Sequence, residues 1–298
     1  SGINGDVSID NPITKIGGTE EITVTIQADG DISLTSDGDI TSSSGIMNVI
    51  LNADRDGDED GKISLNNADI TTLGGYFVAG GGSGDVGGAD GILGNGDGTG
   101  ADDSFAYAIG ANPGVILRTS NVSTSGGDII VHGYAKGAGT GAGVYVGDSA
   151  LSSGAGWLSL EGISSGDENG SKGISLIGNP GLASLSTTTG NINITGLSTN
   201  QHGLYLWGNT SITTTDGNII ITGTSESTDD IAAYGPTPIH SITTTNGDIT
   251  LNANRVVLDN ITTISAGDTL SIQTASNNTS IGLGNGAAGT LNLNAAEL

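Results

Sequence analysis

Gly190-Asn191-Ile192-Asn193-Ile194, Gly217-Asn218-Ile219-Ile220-Ile221 and Gly247-Asp248-Ile249-Thr250-Leu251 decide the fold. Each is a glycine, an Asn or Asp, and a triplet whose first and third members are aliphatic. Period-two alternation puts those two members on one face of a β-strand. Gly30-Asp31-Ile32-Ser33-Leu34 and Gly127-Asp128-Ile129-Ile130-Val131 repeat the pattern. Weaker copies stand at Gly61-Lys62-Ile63-Ser64-Leu65, Gly156-Trp157-Leu158-Ser159-Leu160, Gly173-Ile174-Ser175-Leu176 and Thr290-Leu291-Asn292-Leu293.

Between the copies lies a second string, Val144-Tyr145-Val146, Leu204-Tyr205-Leu206 and Ile231-Ala232-Ala233. A third, led by Leu185, Ile212 and Ile242, precedes the next glycine. Three strings per repeat describe a three-sided coil. Gly190 to Gly217 is 27 positions, Gly217 to Gly247 is 30 and Gly247 to Gly267 is 20, a spread that a solenoid absorbs in loops at its corners. Hairpins would need turns joining two strings directly, whereas Asp216-Gly217 and Asn246-Gly247 precede the same string each time. Like positions then stack in parallel, Ile192 near Ile219 and Ile219 near Ile249. The expected fold is all-β, a right-handed parallel β-helix with three short strands per coil. At about 4.8 Å per coil, about a dozen coils give a rod of about 50 to 60 Å. The turn glycine is expected to supply a backbone conformation closed to side chains. The Asx residue after it is expected to bond its own turn and, as Asn, to stack from coil to coil.

The chain has 298 residues, 53 of them Gly, with 3% aromatics and 35% hydrophobic residues overall. Such a composition suits disorder only if the apolar residues are scattered, and here they are ordered in strings. Residues 1–298 read as a single β-helix segment of a longer protein, with a Gly/Asp-rich loop excursion at about 79–104 leaving one corner. The opening Ser1-Gly2 and the strand pattern running to Ala295 carry the expectation of a segment. Acidic residues number 32 against 7 basic, a formal charge of −25, so nucleic acid and anionic membrane are poor partners and divalent cations good ones. Cysteine is absent, which removes disulfides, thiolate catalysis and Cys-based zinc sites. No run of 18 apolar residues is present to span a bilayer.

Several stretches together resemble filamentous haemagglutinin-like proteins, very large bacterial exoproteins and adhesins of the two-partner-secretion type. They are Asn48-Val49-Ile50-Leu51-Asn52-Ala53-Asp54-Arg55-Asp56-Gly57-Asp58, the Gly-rich run after Val78, Ala111-Asn112-Pro113-Gly114-Val115, Gly143-Val144-Tyr145-Val146, Gly203-Leu204-Tyr205-Leu206 and Thr214-Thr215-Asp216-Gly217-Asn218-Ile219. The resemblance runs from about Gly30 to Leu298. It implies a right-handed parallel β-helix, secretion to the bacterial cell surface, and an adhesive role. Its partner would be a glycan or protein of a host cell, a neighbouring cell or the matrix.

Asp54-Arg55-Asp56-Gly57-Asp58-Glu59-Asp60-Gly61-Lys62-Ile63 is the sharpest candidate site. Counted from Asp56, acids fall at positions 1, 3 and 5, glycine at 6 and Ile at 8, as in the first half of an EF-hand loop. Asp54, Asp56, Asp58 and Asp60 are thus the expected Ca²⁺ ligands. The twelfth position is Asn67 instead of Glu, so Asp69 or a carbonyl would have to complete the shell. A second acidic stretch, with Asp85, Asp90, Asp97, Asp102 and Asp103, lacks sustained ligand spacing. His132, His202 and His240 have no partner at metal-ligand spacing and read as exposed edge or loop residues. Tyr205 and Trp207 alternate away from the core and offer a strip on which sugar rings stack, beside the other large aromatics Tyr145, Trp157 and Tyr234. Parallel β-helices also build polysaccharide lyases and glycoside hydrolases, but basic residues stand singly here and no Gly-x-Ser-x-Gly elbow occurs with its partners. The reading is therefore not an enzyme, with polysaccharide binding or degradation as the alternative. Thr187-Thr188-Thr189, Thr213-Thr214-Thr215 and Thr243-Thr244-Thr245 could align as a flat threonine face of the ice-binding kind.

Overall fold

The computed structural model describes residues 5–82, 105–137, 139, 141–166, 170–258, 261–276, 281–283 and 291–293. The chain is an all-β solenoid of about 8 turns; among the described residues the strands pair in parallel, and the isolated bridge between Gly61 and Tyr107 is antiparallel. One face starts at Val7–Ile9 and passes through Ile32–Leu34, Ile63–Asn66, Val115–Arg118 and Ala142–Gly147. A second starts at Ile13–Lys15 and passes through Ile40–Ser42, Ile70–Thr71, Asn121–Ser123 and Ala150–Gly154. From there the two faces share long strands, Lys172–Thr187, Leu204–Thr214 and Ile231–Thr244, which bend at register shifts and run round the corner. The third face runs from Ile22–Gln27 through Met47–Ala53, Phe77–Gly81, Ile129–Lys136, Leu158–Ser164, Ile192–Ser198, Ile219–Ser225 and Ile249–Asn252 to Leu270–Gln273.

Among the described residues each face is nine strands deep, fewer than the expected dozen coils. Eight steps of about 4.8 Å make the stack about 38 Å long. Along the third face successive strands stand between 21 and 34 residues apart, and 52 apart from Phe77 to Ile129, so the same chain makes fewer coils.

The register confirms the stacking read from the sequence: Ile192 faces Ile219, and Ile219 faces Ile249. Val144, Ile174, Leu204 and Ile231 form the matching column of the first face, and Leu185, Ile212 and Ile242 that of the second. All of these side chains are buried in one continuous apolar column. Each such burial contributes about 1.5 to 3 kcal/mol, so the column is the main source of cohesion.

One sequence motif proves to serve two faces. Gly127, Gly156, Gly190, Gly217 and Gly247 lead third-face strands, but the strings after Gly30, Gly61 and Gly173 lie on the first face, in register with Val115 and Val144. Alternation reports an inward side and not which wall of the prism carries it. The Leu291–Leu293 copy pairs instead with Ile281–Leu283 in a separate two-stranded sheet.

The reason for the corner glycines also differs from the expected one. At Gly190, Gly217 and Gly247 φ lies outside the left-handed region. A Cβ there would come 1.8 Å from the carbonyl oxygen of Gly156, 1.9 Å from that of Gly190 and 2.1 Å from that of Gly217. The glycines stack directly on one another, and close approach rather than dihedral freedom excludes a side chain. A hydroxyl three residues earlier closes each corner: Ser153 Oγ donates to the Gly156 carbonyl at 2.6 Å and Thr187 Oγ1 to that of Gly190 at 2.5 Å, while Thr214 Oγ1 and Thr244 Oγ1 accept from the amides of Gly217 at 3.1 Å and Gly247 at 3.0 Å. Thr72 and Thr124 donate likewise to the carbonyls of Gly75 and Gly127. Thr187, Thr214 and Thr244 are consequently buried, so the threonine triplets do not form the flat exposed face that ice binding would need.

The Asx side chains bond the next coil and not their own turn. Asn191 Oδ1 accepts from the Asn218 amide at 2.8 Å, Asn218 Oδ1 from that of Asp248 at 2.9 Å, and Asp248 Oδ1 from that of Thr269 at 2.9 Å. This column of acceptors takes up amides at the start of the strands, while the carbonyls of Asn191, Asn218 and Asp248 still accept from the backbone of the neighbouring coil.

Phe77–Gly81 and Ala106–Ile109 both pair with Ile129–Lys136, at Ile129 to Val131 and at Gly133 to Lys136 respectively. The strands on either side of residues 83–104 thus lie end to end at one level of the third face. Residues 79–82 still belong to the solenoid, while Asp85, Asp90, Asp97, Asp102 and Asp103 lie outside the described residues.

Candidate functional site

Two places combine chemistry-bearing side chains, and each is built by a register that joins neighbouring coils. The first lies on the first face. Along Leu204–Thr214, Leu204 and Leu206 point into the core, so Tyr205 and Trp207 point outward as alternation requires. Ser175 and Ala232 are the small column neighbours of Tyr205, and Tyr234 of the next coil stands beside Trp207. His202, just before the strand, stacks on Tyr205 with ring centroids 5.3 Å apart and planes 14° from parallel. Trp207 continues the row at 6.2 Å and 16°, and the Tyr234 ring lies 6.0 Å from that of Tyr205. Lys172 Nζ sits 4.8 Å from the centre of the Tyr205 ring, a cation–π contact.

Together with Gln201 and Gly235, these residues line an open depression of about 600 Å³. Its polar groups are held from behind. Tyr234 Oη donates to Asp229 Oδ2 at 3.2 Å, and Lys172 Nζ donates to the Gly170 carbonyl at 2.8 Å. His202 Nδ1 lies 3.1 Å from the Asp229 carbonyl and so carries the proton there. Burial lowers the pKa of both His202 and Lys172 and raises that of Tyr205. The imidazole is accordingly favoured as its neutral form, able to stack as an uncharged ring.

Of the aromatics read from the sequence, Tyr205, Trp207 and Tyr234 gather here. Tyr145 lies apart with Arg118 over its ring at 5.5 Å, and Trp157 is 58% exposed at the third-face corner. His202 and Lys172 were not anticipated in the strip. The signal for Tyr234 was present, since aligning Leu204 with Ile231 sets it against Trp207. Nothing local marks Lys172, which arrives from the coil below.

Two histidines depart from the expected exposure. His202 is 8% exposed and His240 fully buried. His240 Nδ1 lies 2.7 Å from Thr210 Oγ1 and its Nε2 3.1 Å from the Tyr234 carbonyl. Because the carbonyl can only accept, Nε2 carries the proton and Nδ1 accepts from the threonine. This wedge props the Tyr234 segment behind the depression.

The second place is the corner between Met47–Ala53 and Ile63–Asn66. Asp54 and Glu59 both have positive φ, 53° and 71°, and Gly57 has 72°, so residues 54–60 coil tightly at this corner. Asp54 is fully buried; its Oδ1 accepts from the amides of Glu59 at 3.0 Å and Asp60 at 3.3 Å. Its Oδ2 is buried without a hydrogen-bond partner. One carboxylate oxygen from each of Asp54, Asp56 and Asp58 falls within 4.8 Å of the others. Asp60 is not in that trio and contributes its amide, which also donates to Asp58 Oδ1 at 3.2 Å. Asp69 is engaged elsewhere, accepting from the Asn121 amide at 2.8 Å. Burial, reinforced by the charges of Asp58 and Asp56, pushes the Asp54 carboxyl up to about 7 against the pull of the two amides.

Comparison with family models, curated proteins and solved structures finds no match. The sites therefore have to be interpreted from their own chemistry.

Proposed function

We propose that this chain is a non-catalytic, glycan-binding stretch of a secreted bacterial surface adhesin, with the solenoid as spacer and the Tyr205 strip as contact surface. The observation that carries this reading is the near-parallel row of His202, Tyr205 and Trp207 opening on one depression with Lys172, Gln201 and Tyr234. A pyranose offers an apolar C–H face to aromatic rings and hydroxyls to flanking donors and acceptors, and the depression supplies both. The row is carried on strands, so its spacing is set by the backbone ladder and costs little ordering on binding.

Binding without turnover is favoured because, among the described residues, those lining the depression include no carboxylate. Glycoside hydrolysis ordinarily needs a pair of them across the scissile bond. The neighbouring Asp229 is turned to Tyr234 Oη. An elongated body with net charge −25 also suits display in solution away from anionic membrane.

The test is an array of bacterial, host and matrix glycans probed with the whole chain, followed by titration of hits with Tyr205→Ala and Trp207→Ala. Either substitution is expected to weaken binding by about tenfold or more, since an aromatic anchor contributes about 1 to 2 kcal/mol or above. An array without binders, or unchanged affinity in both variants, sinks the glycan reading. Release of new reducing ends from a bound polysaccharide would sink the non-catalytic one.

A further inference from the structure

We infer that the acidic corner binds one divalent cation of the calcium type, held by the side chains of Asp54, Asp56 and Asp58. The inference is independent of the glycan-binding reading, because the corner and the aromatic strip share no residue.

Three carboxylates sharing a corner are not by themselves a site, since exposed acids cluster readily on a chain of this charge. What singles out this trio is Asp54. It is fully buried, one of its oxygens has no hydrogen-bond partner, and that carboxylate belongs to a group whose members offer oxygens within 4.8 Å of each other. A buried carboxylate oxygen left unbonded has to be met by a proton or by a cation, and a cation alone also answers the neighbouring charges of Asp56 and Asp58.

Among the described residues the ion pairs fall outside the trio. The basic residues around the corner are each joined to an acid outside the trio: Arg55 Nε to Asp29 at 2.8 Å, Lys62 to Asp31 and Lys136 to Glu59. The loop thus keeps its cations on its flanks and leaves its centre anionic. Asp56 and Asp58 are exposed, so a metal can enter from solvent while Asp54 holds it from below. An all-oxygen donor set selects a hard cation. Calcium accepts about six to eight oxygens in irregular geometry, with water and carbonyls filling the shell, whereas magnesium demands a regular octahedron.

The position suggests the purpose. Gly61, at the end of the loop, exchanges both backbone hydrogen bonds with Tyr107 at 2.9 Å. Tyr107 belongs to Ala106–Ile109, the strand by which the chain rejoins the third face after residues 83–104. A cation in the loop would fix the corner against which that returning strand is seated.

The experiment titrates CaCl₂ into the chelator-treated full chain by calorimetry and follows Tm with and without the metal. MgCl₂, and NaCl at matched ionic strength, serve as comparators. The expected result is one calcium bound per chain and a Tm raised by calcium well beyond either comparator. Because Asp54 is buried and its replacement can unfold the corner, the decisive variant is the exposed pair Asp56→Asn and Asp58→Asn. It should keep the wild-type Tm in chelator while its calcium affinity drops by about tenfold or more. The inference is overturned if wild type gives neither heat nor a Tm shift. It is equally overturned if matched NaCl or MgCl₂ reproduces the shift, or if the double variant binds like wild type.

Discussion

Gly190→Ala separates two reasons for a glycine that look the same in sequence. A methyl group at this corner would lie 1.8 Å from the Gly156 carbonyl oxygen, and real Cβ atoms do not come nearer than 3.0 Å. The two coils must therefore part locally by about 1.2 Å, from the geometry of the contact. Leu158 N and Asn191 O, now 2.9 Å apart, would stretch to about 4 Å, past any useful hydrogen bond. Thr188 N to Gly154 O, now 2.5 Å, would lengthen in the same movement. Two ladder bonds at about 1 kcal/mol each and an overpacking term of about 1 kcal/mol or more set the loss. The stiffer unfolded chain returns about 0.4 to 1 kcal/mol. The net expectation is a destabilisation of about 2 to 3 kcal/mol, read by urea unfolding with Trp157, next to Gly156, as the fluorescent probe. Gly190→Asn is the discriminating partner. A left-handed backbone would tolerate Asn better than Ala, whereas a steric contact penalises the larger residue at least as much. Stability of Gly190→Ala within about 0.5 kcal/mol of wild type, or recovery of most of the loss by Asn, would refute the stacking argument.

Ile219, fully buried between Ile192 and Ile249, should cost about 2 to 5 kcal/mol on truncation to Ala, while its outward neighbour Ile220, 39% exposed, should cost far less. Equal losses in urea unfolding would contradict the inward assignment. Burial lowers the pKa of His240 from its ordinary 6.5, so below that pH the unfolded chain binds the proton more readily and the folded state loses stability as pH falls. His202 acts in the same direction, and the raised carboxyl of Asp54 in the opposite one. The readout is therefore the difference between wild type and His240→Gln. The fall in Tm from pH 7.5 to 5 should be smaller in the variant, and an equal fall would show that His240 does not titrate in that window.

The aliphatic strings carried their own meaning. Alternation at Ile192, Ile219 and Ile249 defined an inward side, recurrence of the same string after each glycine defined parallel stacking, and the stack buries those residues together. Tyr205 and Trp207 pointed outward for the same local reason, and the run of acids from Asp54 was visible as a loop with ligand-like spacing. These are properties of neighbours in the chain, set by strand geometry within a few residues.

Which wall of the prism a string occupies, and what lies one coil above or below it, depends on loop lengths that no local pattern encodes. That is why the strings after Gly30 and Gly190 looked alike yet fell on different faces, and why Lys172 and His202 joined Tyr205 unannounced. It is also why the corner glycines were assigned the wrong cause, since their constraint is a carbonyl about 30 residues away in sequence. Burial of Asp54 with an oxygen left unbonded is of the same kind. The sequence by itself determined a parallel stack with an apolar axis, because period-two alternation and repetition leave little else. The tertiary structure alone decided what meets across the coils, because those contacts are made at a spacing of about 4.8 Å between residues that the chain keeps far apart.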